Sequence, residues 1–308
     1  MKRIWNNIIL SVFGLALCIS SCSDWTELET KYNENMTGST KSPEYYEQLR
    51  AYKKTDHPIT FGWFGNWTGK GASLEKCLAG LPDSVDVVSI WGNWRNISPD
   101  QENIIRKYAK QIVDTVAKYN YDGFDIDYEP NYQGRWGSLA NYPKRMSIFI
   151  DELSKYLGPK SGSEKLLVID GEPQSMPAER GECMNYFIVQ AYTTSKYNSD
   201  SNLDSRLKST IDNFTGKIDP KEVAKKYVVT ENFEDWALKG GGAYLDRYGN
   251  EMRALEGMAR WTPIIDGQIC EKGGGGTYHM EYEFVVSGYD GTYPFLRNAT
   301  RIMNPPMK

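Results

Sequence analysis

Ten residues, Tyr121-Asp-Gly-Phe-Asp-Ile-Asp-Tyr-Glu-Pro130, constrain this chain more than any other stretch. Phe124, Ile126 and Tyr128 alternate with Asp125, Asp127 and Glu129. Alternation with period two marks a strand, with acids on one face and large apolar residues on the other. The carboxyls then stand about 6–7 Å apart along their face, from the usual rise per residue. Like charges at that spacing cannot all stay ionised, so at least one carboxyl is expected to hold its proton near neutral pH, as a general acid must. Pro130 ends the ladder and leaves Glu129 at the strand's C-terminal tip, where parallel barrels build their active sites. A calcium loop does not fit: Asp122, Asp125, Asp127 and Glu129 lack the EF-hand spacing and flank strand formers. The bland alternative, a solvated acidic edge strand, would not carry Phe, Ile and Tyr in strict alternation.

Around this stretch, short apolar runs alternate with helical patterns, the order that builds parallel βα units. Strands are expected at Ile59–Trp63, Val85–Trp91, Phe124–Tyr128, Lys165–Asp170, Asn185–Tyr192, Tyr227–Glu231 and Thr277–Phe284. Helices are expected near Pro99–Tyr119, Tyr142–Leu157 and Leu255–Arg260, the first carrying Ile104, Ile105, Tyr108, Ile112, Val113 and Val116 at helical spacing. Gly273–Gly276 lacks the Lys-Ser/Thr ending of a phosphate loop and is expected to lead flexibly into the last strand. The 308 residues suffice for one barrel-sized domain. The expected fold is therefore α/β, a TIM-type (β/α)8 barrel with about seven strands, because only one helix fits between Trp94 and Tyr121.

At the N-terminus, Lys2 and Arg3 precede an apolar run, Ile8–Ile19, that is too short to span a bilayer. Ile19-Ser20-Ser21-Cys22 resembles a bacterial lipobox, which implies that Cys22 is acylated and joins the chain to a membrane. Asp24, Glu27 and Glu29 resemble the surface-export signal of Bacteroidetes lipoproteins. Simple secretion with nearby cleavage is the alternative. Residues 1–21 are thus expected to be a lipoprotein signal, 22–56 a polar tether with a short helix near Pro43–Lys53, and 57–308 the barrel. Cys77, Cys183 and Cys270, odd in number and widely spaced, form neither a disulfide framework nor a zinc pattern and are expected to be small buried residues. No cofactor motif or metal-ligand cluster stands out. A net charge of -4 gives no electrostatic case for nucleic acid. The 9 Trp and 21 Tyr suit carbohydrate, whose ring faces stack on aromatics, although most must serve packing.

Asp122-Gly-Phe-Asp125-Ile-Asp127-Tyr-Glu129 resembles the D-G-x-D-x-D-x-E signature of glycoside hydrolase family 18, the chitinases and endo-β-N-acetylglucosaminidases. From about Ile59 onward the chain is similar to the lipoprotein, N-glycan-acting branch of Bacteroidetes. In that family the acidic motif lies on the fourth strand; here it lies on the third, so the resemblance implies a missing or shortened third βα unit. It also implies a substrate-assisted mechanism, in which the substrate's own acetamido group is the nucleophile. Glu129 is then the acid/base, Asp127 orients the acetamido group and stabilises the oxazolinium, Asp125 shares a proton with Asp127, and Asp122 is structural. Gln190-Ala-Tyr192 resembles the family's polar-x-Tyr element, with Tyr192 the donor to the acetamido oxygen and Gln190 a polar floor residue. A strand-end Tyr at the barrel rim is the plainer reading of Tyr192. Glu172, Glu231 and His279 are candidate sugar contacts, although the two acids could as easily cap helix N-termini and a lone His in a strand is more often structural; Trp67 and Trp94 are the preferred stacking platforms, Trp63 and Trp91 further candidates, Trp236 and Trp261 weaker ones. The expected activity is release of N-glycans by a monomeric, surface-anchored endo-β-N-acetylglucosaminidase. The alternatives are a non-catalytic glycan-binding lipoprotein, suggested by the missing unit, and a chitinase.

Overall fold

The acidic strand lies at one margin of a seven-stranded parallel sheet that curls into a nearly closed barrel. The computed structural model describes residues 41–65, 80–90, 102–132, 140, 142–194 and 197–305. The strands are β1 (Ile59–Phe64), β2 (Val87–Ile90), β3 (Gly123–Tyr128), β4 (Leu166–Gly171), β5 (Tyr186–Gln190), β6 (Tyr227–Asn232) and β7 (Gly274–Tyr278). Their spatial order is β2-β1-β7-β6-β5-β4-β3. Among the described residues, no strand lies between β2 and β3, so the barrel has a seam where an eighth strand would close it. The expected strand count and the shortened barrel are therefore both found.

Seven helices concern us: α1 (Pro43–Tyr52), α2 (Glu102–Tyr119), α3 (Pro143–Leu153), α4 (Asp200–Asn213), α5 (Pro220–Lys225), α6 (Ala254–Arg260) and α7 (Pro294–Met303). In α2 the apolar face of Ile105, Ala109, Ile112, Val113 and Val116 is buried against the sheet. The helix stops where Asn120 takes a left-handed conformation, φ 53°, and Tyr121 N bonds back to Val116 O. The chain is thereby turned straight into β3. Phe149 of α3 stacks on Tyr108 at 5.7 Å and meets Phe124 edge-on at 6.5 Å, so α2, α3 and β3 share one core. Each large apolar side chain buried there contributes about 1.5–3 kcal/mol.

Strand alternation sorts the side chains as period two requires. Ile126, Tyr128, Leu167, Ile169, Phe187, Val189, Tyr227 and Val229 join the core between sheet and helices. Phe61, Trp63, Val168, Ile188 and Val228 form a separate cluster inside the barrel. Asp125, Asp127, Asp170, Gln190 and Tyr192 share the parity of that inner set.

Helix α1 is packed on the domain, where Tyr45 Oη donates to Asp83 Oδ2 at 3.3 Å. Ser42 caps it by accepting from Tyr45 N at 3.2 Å, and Pro43 occupies its first turn. Lys53 then donates to Val85 O, and His57 Nε2 lies 3.2 Å from Asp86 Oδ1, beside the N-terminal end of β2. Among the described residues no helix is long and apolar enough to cross a membrane. Cys22 and Cys77 lie outside the described residues; Cys183 is buried and Cys270 half-buried, both free.

The last strand departs from expectation. Thr277–Phe284 is not a strand; the glycine run itself is, as Gly274–Tyr278. A Cβ at Gly276 would fall 1.6 Å from Phe61 O, and one at Gly274 1.8 Å from Ile59 O. The glycines thus serve close approach of β7 to β1, not flexibility. Beyond Tyr278, His279 is left-handed at φ 57° and Met280–Glu283 forms a 3-10 turn. Glu283 accepts from Phe295 N and Leu296 N, both at 2.9 Å, at the start of α7. Gly276→Ala is expected to cost about 3 kcal/mol or more, whereas Gly275→Ala, whose Cβ meets only Met303 Sδ at 3.4 Å and Val229 O at 3.6 Å, should cost under about 1 kcal/mol. Thermal unfolding of the two variants distinguishes a strand packed this closely from a pliable lead.

Candidate active site

The inward residues at the C-terminal ends of β1, β3, β4 and β5 converge on one group of carboxyls. Asp127 of β3 and Asp170 of β4 are register partners on adjacent strands. Asp125 lies one inward position below Asp127. The Trp63 indole, from β1, reaches across the barrel and donates to Asp125 Oδ2 at 3.1 Å and to Asp170 Oδ2 at 3.3 Å. Trp63 is only 2% exposed, so the stacking role considered for it is replaced by hydrogen bonding inside the barrel. Ser89 on β2 hydrogen-bonds to Asp125, which links the two strands that flank the seam.

The electrostatics follow from this crowding. Asp125 Oδ1 is buried without a hydrogen-bond partner among the described residues. Burial pushes the Asp125 carboxyl up to about 6, against the pull of hydrogen bonds from Asp170, Ser89 and Trp63. Asp127 is open to solvent yet ringed by protein; desolvation first and the Asp125 charge second raise it to about 6. Asp170, 1% exposed, is held well above the carboxylate range by burial and by both neighbouring acids. Glu129, half-buried at the rim, is raised by burial and then by Asp127, while a hydrogen bond from Gln190 opposes the shift. Gly171, at φ 92°, gives Glu129 room: a Cβ there would meet Glu129 Cγ at 2.9 Å and Tyr128 O at 2.8 Å.

Gln190 and Tyr192 complete the inner face of β5 and its extension. Gln190 Nε2 donates to Asp170 Oδ1 at 3.2 Å and the amide also reaches Glu129, so it bridges the acid pair and the rim. The Tyr192 ring stacks on Tyr278 at 6.0 Å, and Tyr278 meets Trp63 edge-on at 6.1 Å. These three aromatics form a wall beside the acids. Burial and the charges of Asp170, Glu129 and Asp127 raise the Tyr192 hydroxyl well above its ordinary value, so it remains a hydrogen-bond donor. An acid at a rim, a second carboxylate beside it and a phenolic donor facing both can protonate a leaving oxygen and stabilise a cation.

Other candidates sit elsewhere. Glu231 has no exposed surface; it shares outward parity with Tyr227 and Val229. Its carboxyl accepts from Thr193 N at 2.9 Å and Asn232 N at 2.8 Å, bracing the loops after β5 and β6 rather than meeting a sugar. His279 is not on a strand: its ring lies between Tyr278 and Tyr282, with Nδ1 2.9 Å from Glu281 Oε1. Glu172 stands half-buried at the rim, accepting from Asn131 Nδ2 at 2.7 Å. Trp261 is buried, with its indole on Asp204 at 2.9 Å. Trp236 is half-buried beyond β6. Trp67, Trp91 and Trp94 lie outside the described residues. Asp170 and Tyr278 escaped the sequence reading, though parity with Gln190 across adjacent strands could have flagged Asp170. Among the described residues, no cluster of His, Cys, Asp or Glu is arranged to hold a metal.

Comparison with known proteins supports the family and the barrel fold. The solved structure of a glutamate-to-glutamine variant of BT1044 is 30% identical, with a TM-score of 0.70 over 88% of this chain and 96% of that one. An endo-β-N-acetylglucosaminidase from Cordyceps militaris shares the fold at 21% identity and a TM-score of 0.62, over 88% of this chain and 99% of that one. Among curated proteins, endo-β-N-acetylglucosaminidase F2 of Elizabethkingia meningoseptica is 24% identical over 87% of this chain and 88% of its own length. Residues 26–101 and 96–302 match the family described as glycoside hydrolase family 18, BT1044-like. With Asp127 and Glu129 of the D-G-x-D-x-D-x-E motif toward the C-terminal end of an incomplete (β/α) barrel, the chain belongs to glycoside hydrolase family 18, in its BT1044-like group.

Proposed function

We propose that this glycosidase hydrolyses the β-1,4 linkage between the two N-acetylglucosamines at the base of N-glycans, leaving one on the polypeptide. The observation that carries the reading is the placing of Glu129 at the rim beside Asp127, with Gln190 and Tyr192 facing the same space. The substrate class is supported by the relatives: one is endo-β-N-acetylglucosaminidase F2, and the Cordyceps enzyme was solved with fucosyl-N-acetylglucosamine-Asn.

Glu129, protonated, passes its proton to the glycosidic oxygen as the carbonyl oxygen of the substrate's acetamido group attacks C1. The C1–O bond breaks and a cyclic oxazolinium carries the positive charge. Ionised Asp127 stabilises that charge and Tyr192 holds the acetamido oxygen by a hydrogen bond. Glu129, now a carboxylate, takes a proton from water, which opens the ring at C1 with overall retention of configuration. The leader and Cys22 support a lipid-anchored position on the outer membrane or cell surface.

Incubating glycopeptides of high-mannose and complex type with the domain, then reading the products by mass spectrometry, tests the assignment. A peptide retaining a single N-acetylglucosamine is expected; glycan binding without any release would favour a non-catalytic lectin. Glu129→Gln should lower kcat by about 10²–10⁴-fold at unchanged melting temperature, and undiminished turnover would remove Glu129 from its role. The rate should fall as pH drops through about 6, where Asp127 takes up a proton, and again at higher pH as Glu129 loses its own. A profile without the acid limb contradicts the role of Asp127. In cells, Cys22→Ala should move the protein from the membrane to the soluble fraction; continued membrane partition would refute the lipid anchor.

A further inference from the structure

The family signature draws its acids from one strand, but the structure adds a carboxyl from the next. Asp170 is 1% exposed and stands beside Asp127 in register. Its Oδ2 takes the Trp63 indole that also serves Asp125, and its Oδ1 takes Gln190 Nε2 at 3.2 Å. It is within hydrogen-bonding reach of Asp125 and of Asp127. Among the described residues, the groups that face this trio are Trp63 of β1, Ser89 of β2, Glu129 of β3, Glu172 beyond β4, Gln190 and Tyr192 of β5, and Tyr278 of β7. All are acidic or neutral. Among the described residues, no Lys, Arg or His forms an ion pair with any of the three acids.

A hydrogen bond between two carboxyls requires a proton on one of them, and three such groups with no counter-cation among the described residues cannot all be anions. Their surroundings distinguish them. Asp127 is exposed and opens on the cleft. Asp125 receives Trp63 and Ser89, and Asp170 receives Trp63 and Gln190, so depth and not the count of donors separates these two. Asp170 is the deepest of the three and has both acids as neighbours. We propose that Asp170 is a positioning residue kept as a neutral carboxylic acid, whose O–H is donated to the Asp125–Asp127 pair and keeps Asp127 negative for the cation formed above it. This rests on the hydrolytic reading given above. No atom is consumed: the proton stays between carboxyl oxygens, and the net charge of the trio is unchanged when it moves from one to another.

The sign of a pH shift separates this arrangement from its alternatives. If Asp170 is a neutral donor, its removal takes away a hydrogen bond that favours Asp127 in its charged form, and the acid limb of kcat moves to higher pH. If Asp170 is an anion, its removal relieves repulsion and the limb moves to lower pH. A merely structural residue leaves the limb in place. For Asp170→Ala we expect kcat to fall about 30–100-fold with KM within about 3-fold, and the acid limb to rise by about one pH unit. Asp170→Asn retains an N–H donor and should restore kcat to within about 5-fold of wild type, with the limb unmoved. A limb that moves down or stays in Asp170→Ala, or an Asn variant as impaired as the Ala variant, overturns the proposal. Should Asp170→Ala fail to fold, the infrared difference between wild type and Asp170→Asn at neutral pH decides without substrate. A protonated-carboxyl carbonyl band present only in the wild type is expected, and its absence refutes the neutral acid even if the glycan specificity has been misjudged.

Discussion

One indole N–H, shared between two carboxyls on the far side of the barrel, organises the site. Trp63 can only donate, and a buried indole needs an acceptor; Asp125 and Asp170 each present an oxygen that needs a donor, whichever of them holds a proton. The contacts at 3.1 and 3.3 Å satisfy both demands at once. They also fix geometry. Trp63 is paired in register with Tyr278 on one side and Ser89 on the other. The strand carrying the indole is therefore the strand that sets the aromatic wall and the bridge across the seam. Asp125 held in this way limits where Asp127 can point, and Asp127 limits the space above it.

That same arrangement sets stability against activity. Asp125 and Asp127 titrate at about 6 in the folded protein, against an ordinary value of 3.8. The native state thus holds protons that the unfolded chain releases. The contribution of these groups to stability is full below about 3.8 and is lost as pH rises through about 6. The proposed mechanism asks for the reverse, because in it Asp127 is ionised when the oxazolinium forms. Stability is lost in the pH range where the proposed chemistry begins, which is expected where function, not folding, selects the residues. Neutral Asp170 softens the conflict by adding a donor to the cluster without adding a charge.

The fold was legible because its strands carry period-two or continuous apolar runs, and β3 was legible in detail because its acids and apolar residues alternate without exception. Gln190 and Tyr192 were legible for the same reason. Glu231 misled because parity within one strand does not say which face is inward; Tyr227 and Val229, which share its face, pack against the helices. His279, Glu281 and Glu283 alternate as a strand would, but a left-handed residue at His279 breaks the pattern, and nothing local in the sequence announces it. The glycine run reads as slack in isolation. Only the proximity of β1, a neighbour more than 200 residues away in sequence, makes those glycines the strand itself. Asp170 was hidden by its setting at the end of an apolar run, where a lone acid reads as the place where burial stops.

The seam bears on whether a shortened barrel can still do chemistry. An open edge usually invites pairing with another chain, and inward-pointing charges on the edge strand are one natural safeguard. Here β3 is such an edge and turns Asp125 and Asp127 inward, while Ser89 reaches Asp125 in place of ladder bonds. Among the described residues, the groups that touch the acids come from β1, β2, β4 and β5, with β7 completing the wall. None depends on a strand between β2 and β3. The missing unit therefore removes a stretch of wall and leaves the acid cluster with its supports, which weakens the case that a seven-stranded barrel must only bind. The cost falls on closure of the sheet, and the side-chain bridge at Asp125 is where that closure and the chemistry use the same residue.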